Sequence, residues 1–141
     1  MSTALPPPTD GAGLITLDRD ECIRLLSAAP IGRMAFNDGD RLTVLPVAFD
    51  WVDDGVVFRT LDGAKLEAAV ANEKVAFEID GWDEKSQTGW SVLVRGVARA
   101  VTEWAEAEQL EQSGVMAWAK ERWRHRWIRI EPDEVTGRKL A

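Results

Sequence analysis

"IGRMAFNDGDRLTVLPVAFDWVDDGVVFRT", residues 31–60, decides how this chain folds. Three apolar runs, "IGRMAF", "RLTVLPVAFDW" and "GVVFRT", are parted by "NDGD" and "VDDG", and each separator holds an Asp-Gly step. Glycine after aspartate accepts the positive φ of a tight hairpin, so the three runs are expected to pair as an antiparallel meander. In the middle run Leu45, Val47, Phe49 and Trp51 alternate with Val44, Pro46, Ala48 and Asp50, leaving both faces largely apolar as far as Asp50. A strand buried on both sides suits a barrel wall covered by a helix or a second subunit. Pro46 lacks an amide donor and therefore belongs at an edge or a bulge, where neighbouring backbone groups are free.

Upstream, Asp18 with Glu21 forms an aspartate version of the capping box, and Leu17 and Cys22 have the spacing of a hydrophobic staple. A short helix follows, with Cys22, Leu25 and Leu26 on one face and Pro30 ending it. Residues 1–14, "MSTALPPPTDGAGL", read as a flexible proline-rich arm, which leaves 15–141 as one domain. Downstream, Leu66, Ala69 and Val70 have helical spacing and predict a short helix packed on the sheet. "KVAFEID" and "GWSVLVRGVARAV" are strand patterns, the second with Gly96 as a candidate bulge. "TEWAEAEQLEQ" is helical, with Thr102 as N-cap and Glu103 and Glu106 suited to the first turn, and "MAWAKERW" is a second helical piece. "RWIRIEPDEVTGRKL" is strand-like to Ile130 and again after Pro132. Six or seven mostly antiparallel strands with two or three short helices describe a mainly β protein built on a small barrel. No Gly-x-Gly-x-x-Gly step follows any strand, which argues against a doubly wound dinucleotide fold.

Composition narrows the function. The chain has 141 residues, 45% of them hydrophobic, enough for one core without disulfides or a structural metal. A net charge of −7 repels nucleic acid and anionic membrane surfaces, so neither is expected as a partner. One cysteine, Cys22, and one histidine, His125, are too few for a structural zinc site. No signal pattern opens the chain and no apolar stretch reaches the ~18 residues of a membrane span, which predicts a cytoplasmic protein. His125 has no evident nucleophile partner, so no catalytic residue and no metal ligand is assigned, and a cofactor is expected to carry any chemistry.

The stretch that bears on this is "VFRTLDGAKLEAAV", residues 57–70. It puts Lys65 in the first turn of a helix, where the macrodipole disfavours a cation by roughly a few tenths of a kcal/mol. An anion reverses that sign. The N–H groups of Gly63, Ala64 and Lys65, the hydroxyl of Thr60 and the cations Arg59 and Lys65 together form a candidate phosphate cradle. The plainer reading is that Asp62 caps the helix and Lys65 is solvated. The segment alone leaves both open.

Six motifs in order, "IGRMAF", "LPVAF", "VFRTLDGAKLEAA", "KVAFEID", "GWSVLVRG" and "TGR", resemble the pyridoxamine 5'-phosphate oxidase-like family of FMN-binding split barrels. The likeness runs from Leu14 to Leu140 and looks closest to the small bacterial flavin or deazaflavin oxidoreductase branch. It implies a six- to seven-stranded antiparallel split β-barrel that forms a homodimer with two FMN sites at the interface. By that resemblance Thr60, Gly63, Ala64 and Lys65 meet the phosphate, and Arg59 lies beside it or beside the ring edge. Pro46 and Val47 line the isoalloxazine, and Trp90 and Ser91 complete the site, from the other subunit. A core or dimer-interface tryptophan is the other reading of Trp90. The implied activity is an FMN-dependent oxidoreductase that moves hydride between a nicotinamide or deazaflavin donor, the flavin and a small molecule. Two alternatives keep the fold: a deazaflavin-dependent reductase, and a non-catalytic flavin or haem carrier or sensor with His125 as first haem-ligand suspect. True pyridoxamine phosphate oxidases carry an Arg-x-His substrate clamp, and here "RWRHRW" puts Arg124 beside His125, so vitamin oxidation is not implied. Arg122, Arg124, Arg126 and Arg129 form either a basic rim for an anionic ligand or a solvated face.

Overall fold

The computed structural model describes Thr9 and residues 13–60, 63–112 and 126–140; the triple proline and "MAWAKERW" lie outside them. In chain order the elements are β1 (Ile15–Leu17), α1 (Arg19–Ala28), β2 (Ile31–Asp38), β3 (Arg41–Val52), β4 (Gly55–Thr60) and α2 (Gly63–Val70). They are followed by β5 (Lys74–Asp83), β6 (Thr88–Ala100), α3 (Trp104–Glu111) and β7 (Arg126–Lys139). The seven strands form one sheet in the order β1-β7-β4-β3-β2-β5-β6, and a further β6–β7 ladder closes it into a barrel. Every strand pairing among the described residues is antiparallel. The architecture is therefore the mainly β barrel that the alternation predicts. No helix among the described residues is long and apolar enough to cross a membrane.

The meander of residues 31–60 is present, but its two turns work differently. Gly39 takes a positive φ of 68°, as an Asp-Gly hairpin requires. At the second turn the left-handed residues are Asp53 (φ 49°) and Asp54 (φ 57°), and Gly55 already belongs to β4. Gly55 answers a different need. A Cβ there would sit 2.6 Å from Cζ of Arg129, whose guanidinium donates to the carbonyls of Val52 (2.9 Å) and Asp53 (2.6 Å). A buried arginine thus stitches the hairpin shut.

The barrel interior is filled by alternate residues of the long strands, among them Met34, Phe49, Phe58, Phe77, Val92 and Ile128. Phe49 meets Phe77 edge to face at 4.7 Å. α1 plugs the barrel with Cys22 and Leu26, both fully buried, and Leu25 packs beside them. Its first turn is capped as expected, Glu21 N–H donating to Asp18 Oδ1 at 2.8 Å. The reciprocal half of the capping box is missing, because the Glu21 carboxylate grips Arg24 instead. Ala29, extended before Pro30, ends the helix.

Two other expectations need correcting. The N-cap of α3 is Glu103, one residue past Thr102, and its side chain makes no capping bond. β7 runs unbroken through Pro132, because the β6–β7 register shifts there: Gly96 faces Pro132 while Arg95 faces Glu134. The extra residue is Asp133 on β7, and a bulge needs no amide donor from the proline. The bulge predicted at Gly96 thus falls at the expected place, with its surplus residue on the neighbouring strand. Gly96 packs so closely on the Glu131 carbonyl that no side chain fits.

Candidate functional site

The site is built where β4 hands the chain to α2. Leu66 and Val70 of α2 are buried in the main core, as the helical spacing predicts, so the helix is anchored and its first turn held at the end of the sheet. Asn72, with φ 59°, closes the other end and donates its N–H to Ala98 O of β6 at 2.8 Å. Gly63, Ala64 and Lys65 open α2, and helix geometry leaves their N–H groups without acceptors inside the helix. Thr60 is the last residue of β4, in register with Arg126 of β7. Leu61 and Asp62 lie outside the described residues, and with them the reading of Asp62 as a cap.

Arg59 is committed in a way that sequence did not indicate. Along β4, Val56 and Phe58 join the barrel core while Val57 joins an outer cluster with Leu110 and Trp127. Arg59 shares the outer face by the two-residue period. Its side chain is only 8% exposed. Nη1 donates to Glu111 Oε2 at 2.9 Å, and the guanidinium carbon lies 5.2 Å from the centroid of the Trp127 ring. Trp127 Nε1 donates to the other oxygen of Glu111, also at 2.9 Å. Arg59 Nε is buried without a hydrogen-bond partner among the described residues. A single carboxylate from α3 therefore holds both a buried arginine and a buried indole. Glu111 and Trp127 were not singled out in the sequence. The available signal was Arg59 itself, since a cation inside an apolar strand must find a counter-ion somewhere.

Pro46 and Val47 lie on β3 next to this end. The β3–β4 ladder stops at Phe49–Phe58, so Pro46 belongs to a stretch of an inner strand that is paired only to β2, opposite Arg33. That is the edge-like setting a proline needs. Val47 is buried and Pro46 exposed. Arg33 is gripped by Glu78 (3.2 Å) and Asp80 (3.0 Å) of β5. Burial, with Asp80 close by, pushes the Glu78 carboxyl above its ordinary range, and Arg33 opposes the shift.

Trp90 and Ser91 stand elsewhere in the chain. Trp90 packs against the main core and lines a cavity of about 560 Å³ with Leu17, Leu25, Trp82 and Lys139. Ser91 lines a neighbouring one of about 300 Å³. The groove beside Glu111 and Trp127, of about 510 Å³, has no lining residue in common with either. One chain thus brings Arg59, Thr60 and the first turn of α2 together and sets Pro46 and Val47 nearby. It leaves Trp90 and Ser91 together in a cavity that shares no lining residue with the groove beside Glu111 and Trp127. Of the basic run, Arg129 serves the hairpin and Arg126 begins β7, while Arg122, Arg124 and His125 lie outside the described residues.

Comparison with known proteins identifies the family of this fold. The sequence model of the pyridoxamine 5'-phosphate oxidase family matches residues 18–139. An uncharacterised protein of Mycobacterium tuberculosis is 34% identical over 147 residues, covering 95% of this chain and 90% of that protein. Among solved structures, the FAD binding protein from Mycobacterium smegmatis superposes with a TM-score of 0.76 at 33% identity, covering 89% of this chain and 99% of that one. A conserved protein of unknown function from Corynebacterium diphtheriae gives a TM-score of 0.77 at 29% identity, with 91% and 98% covered. With the family match spanning nearly every strand of the barrel, the chain belongs to the pyridoxamine 5'-phosphate oxidase-like family of split barrels.

Proposed function

We propose that this chain binds a flavin through its mononucleotide half, as FMN or as the FMN half of FAD, and acts as a flavin-dependent oxidoreductase. The observation that carries the reading is the β4–α2 junction, where a helix N-terminus opens directly after Arg59 and Thr60. Its residues fit a phosphate: three N–H groups at Gly63, Ala64 and Lys65 point out of the helix start, and Arg59 carries an orphaned buried Nε. The Mycobacterium smegmatis relative, described as an FAD binding protein, supports a flavin over a deazaflavin.

A bound flavin accepts and donates hydride at its own ring, so the protein's task is to hold and orient it. In this reading Thr60, Gly63, Ala64 and Lys65 hold the phosphate, Arg59 adds charge beside it, and Pro46 and Val47 line the ring. Trp90 and Ser91 join only from a second copy, which makes the functional unit a homodimer. The exposed apolar outer face of β2 and β3 supports this, with Leu42 86%, Val44 61% and Ile31 50% exposed beside Pro46. Sedimentation of the parent as a dimer, and of Val44→Lys as a monomer with loss of flavin, is the expected result; a flavin-loaded monomer would remove Trp90 and Ser91 from the site.

The decisive measurement is the absorbance and mass of whatever heat denaturation releases from the purified, flavin-reconstituted protein. FMN or FAD is expected, and Lys65→Glu should retain at least about tenfold less of it. A reconstituted protein that holds only deazaflavin or haem, or nothing, defeats the proposal. Adding NADH, NADPH or reduced deazaflavin anaerobically should bleach the bound flavin. If no donor bleaches it, the chain is a flavin carrier or sensor.

A further inference from the structure

Lys65 and Glu111 each sit at the electrostatically unfavourable end of a helix. Lys65 is at the positive end of α2, and Glu111 is the last residue of α3, at its negative end, with no basic residue in that turn. Glu111 therefore gains nothing from its own helix. Its partners are Arg59 and Trp127, 52 and 16 residues away. The pair lies at the surface with the carboxylate outermost, since the Glu111 side chain is 43% exposed against 8% for Arg59.

Taking the flavin reading as the starting point, we propose that Glu111 is a displaceable counter-ion, which neutralises Arg59 in the ligand-free chain and yields the guanidinium to the flavin phosphate. Three observations support an exchange over a fixed structural pair. A buried guanidinium cannot stand without a counter-charge, so Glu111 can leave only as another anion arrives. Arg59 also has donor capacity in hand: Nη1 serves Glu111, while Nε is buried and unpartnered. Finally, Glu111 is the last residue of its helix, and α3 rests on the barrel through one buried side chain, Leu110, with Ala107 packed beside it, through the pair Arg99–Glu106 and through Glu111, with no side-chain cap at its start. Helix ends are the parts that fray first. The exchange would make flavin binding loosen the end of α3, and would set the affinity by competition with a carboxylate the protein supplies.

The test is FMN titration of the full chain, followed by quenching of flavin fluorescence, for the parent, Glu111→Gln and Glu108→Gln. Glutamine keeps one acceptor oxygen, for Arg59 or for Trp127, while removing the competing charge, so Glu111→Gln should bind FMN roughly three- to tenfold more tightly. Glu108→Gln removes the same charge from the same helix, at an exposed position, and should stay within about twofold of the parent. In an Arg59→Met background the gain from Glu111→Gln should vanish, as a double-mutant cycle requires. If the parent binds FMN and Glu111→Gln binds it equally or less well, or if Glu108→Gln gives the same gain, the counter-ion proposal falls and the flavin reading stands. If neither parent nor variant binds any flavin, both fall together.

Discussion

α1 and α3 are both short helices laid against the same barrel, and they are held by different forces. α1 inserts Cys22 and Leu26 completely into the main core and is capped by Asp18. α3 contributes Leu110, with Ala107 packed beside it, to a small outer cluster and is otherwise fastened by charge: Arg99 to Glu106 at 2.8 Å and Arg59 to Glu111 at 2.9 Å. Apolar burial is worth roughly 1.5–3 kcal/mol per large side chain and is not subject to charge screening, whereas part-exposed ion pairs contribute about 0–1 kcal/mol and are screened. A plug and a clasp result. Only the clasp can be taken over by a charged ligand, and it lies beside the turn we assign to the flavin phosphate.

The contrast can be broken first at the plug. Leu26→Ala should destabilise the protein by about 2–5 kcal/mol in urea unfolding, and Leu110→Ala by an amount near the bottom of that range, since a small outer cluster collapses more readily than a barrel core. Equal losses would erase the distinction. Next, Asp18→Ala should cost about 1 kcal/mol and Glu103→Ala close to nothing, because only the first cap makes its hydrogen bond. Raising sodium chloride to ~0.5 M, where the Debye length is near 4 Å, should speed amide exchange in α3 and leave α1 unchanged; equal acceleration would contradict charge as the fastener.

The smallest expected effect sharpens the comparison from the other side, because α1 also carries an ion pair. Arg24 holds the Glu21 carboxyl below its ordinary value of 4.5. A depressed carboxylate adds stability above its unfolded pKa and loses it as the pH falls through the folded one. Arg24→Gln should therefore raise the Glu21 titration seen by carboxyl NMR, with hardly any change in melting temperature, since the pair lies at the surface. A large drop would mean that α1, too, is held by charge.

What the sequence made legible was local. The Asp18 cap, the helical spacing of Leu66 and Val70, the hairpins and the bulge at Gly96 each rest on residues a few positions apart, where backbone preference and periodicity act directly. The junction before Lys65 was visible for the same reason: a charge of the wrong sign at a helix start is a local anomaly. Long-range choices were not visible. Arg59 finds its counter-ion 52 residues away, and Glu111 resembles any other glutamate of an acidic helix until the barrel closes and brings it under the guanidinium. Arg129 likewise reads as one of a run of arginines, although besides its neighbour Glu131 it serves two carbonyls of a distant hairpin turn. Pro132 looked like a strand end because a missing amide donor is a local fact, whereas the bulge that excuses it depends on the register of a partner strand. Trp90 illustrates a third limit: period-two alternation puts it on a strand, but the cavity it lines is set by α1 and the β5–β6 hairpin.

β7 has one more consequence, for how the molecule comes into being. It is the strand that β1, β4 and β6 all pair with, and it is also the one synthesised after the others. Until residues 126–139 clear the ribosome, a nascent chain holds a curled sheet with two open flanks and an unsealed apolar interior. Closure therefore waits on contacts of large sequence separation, which favours slow folding.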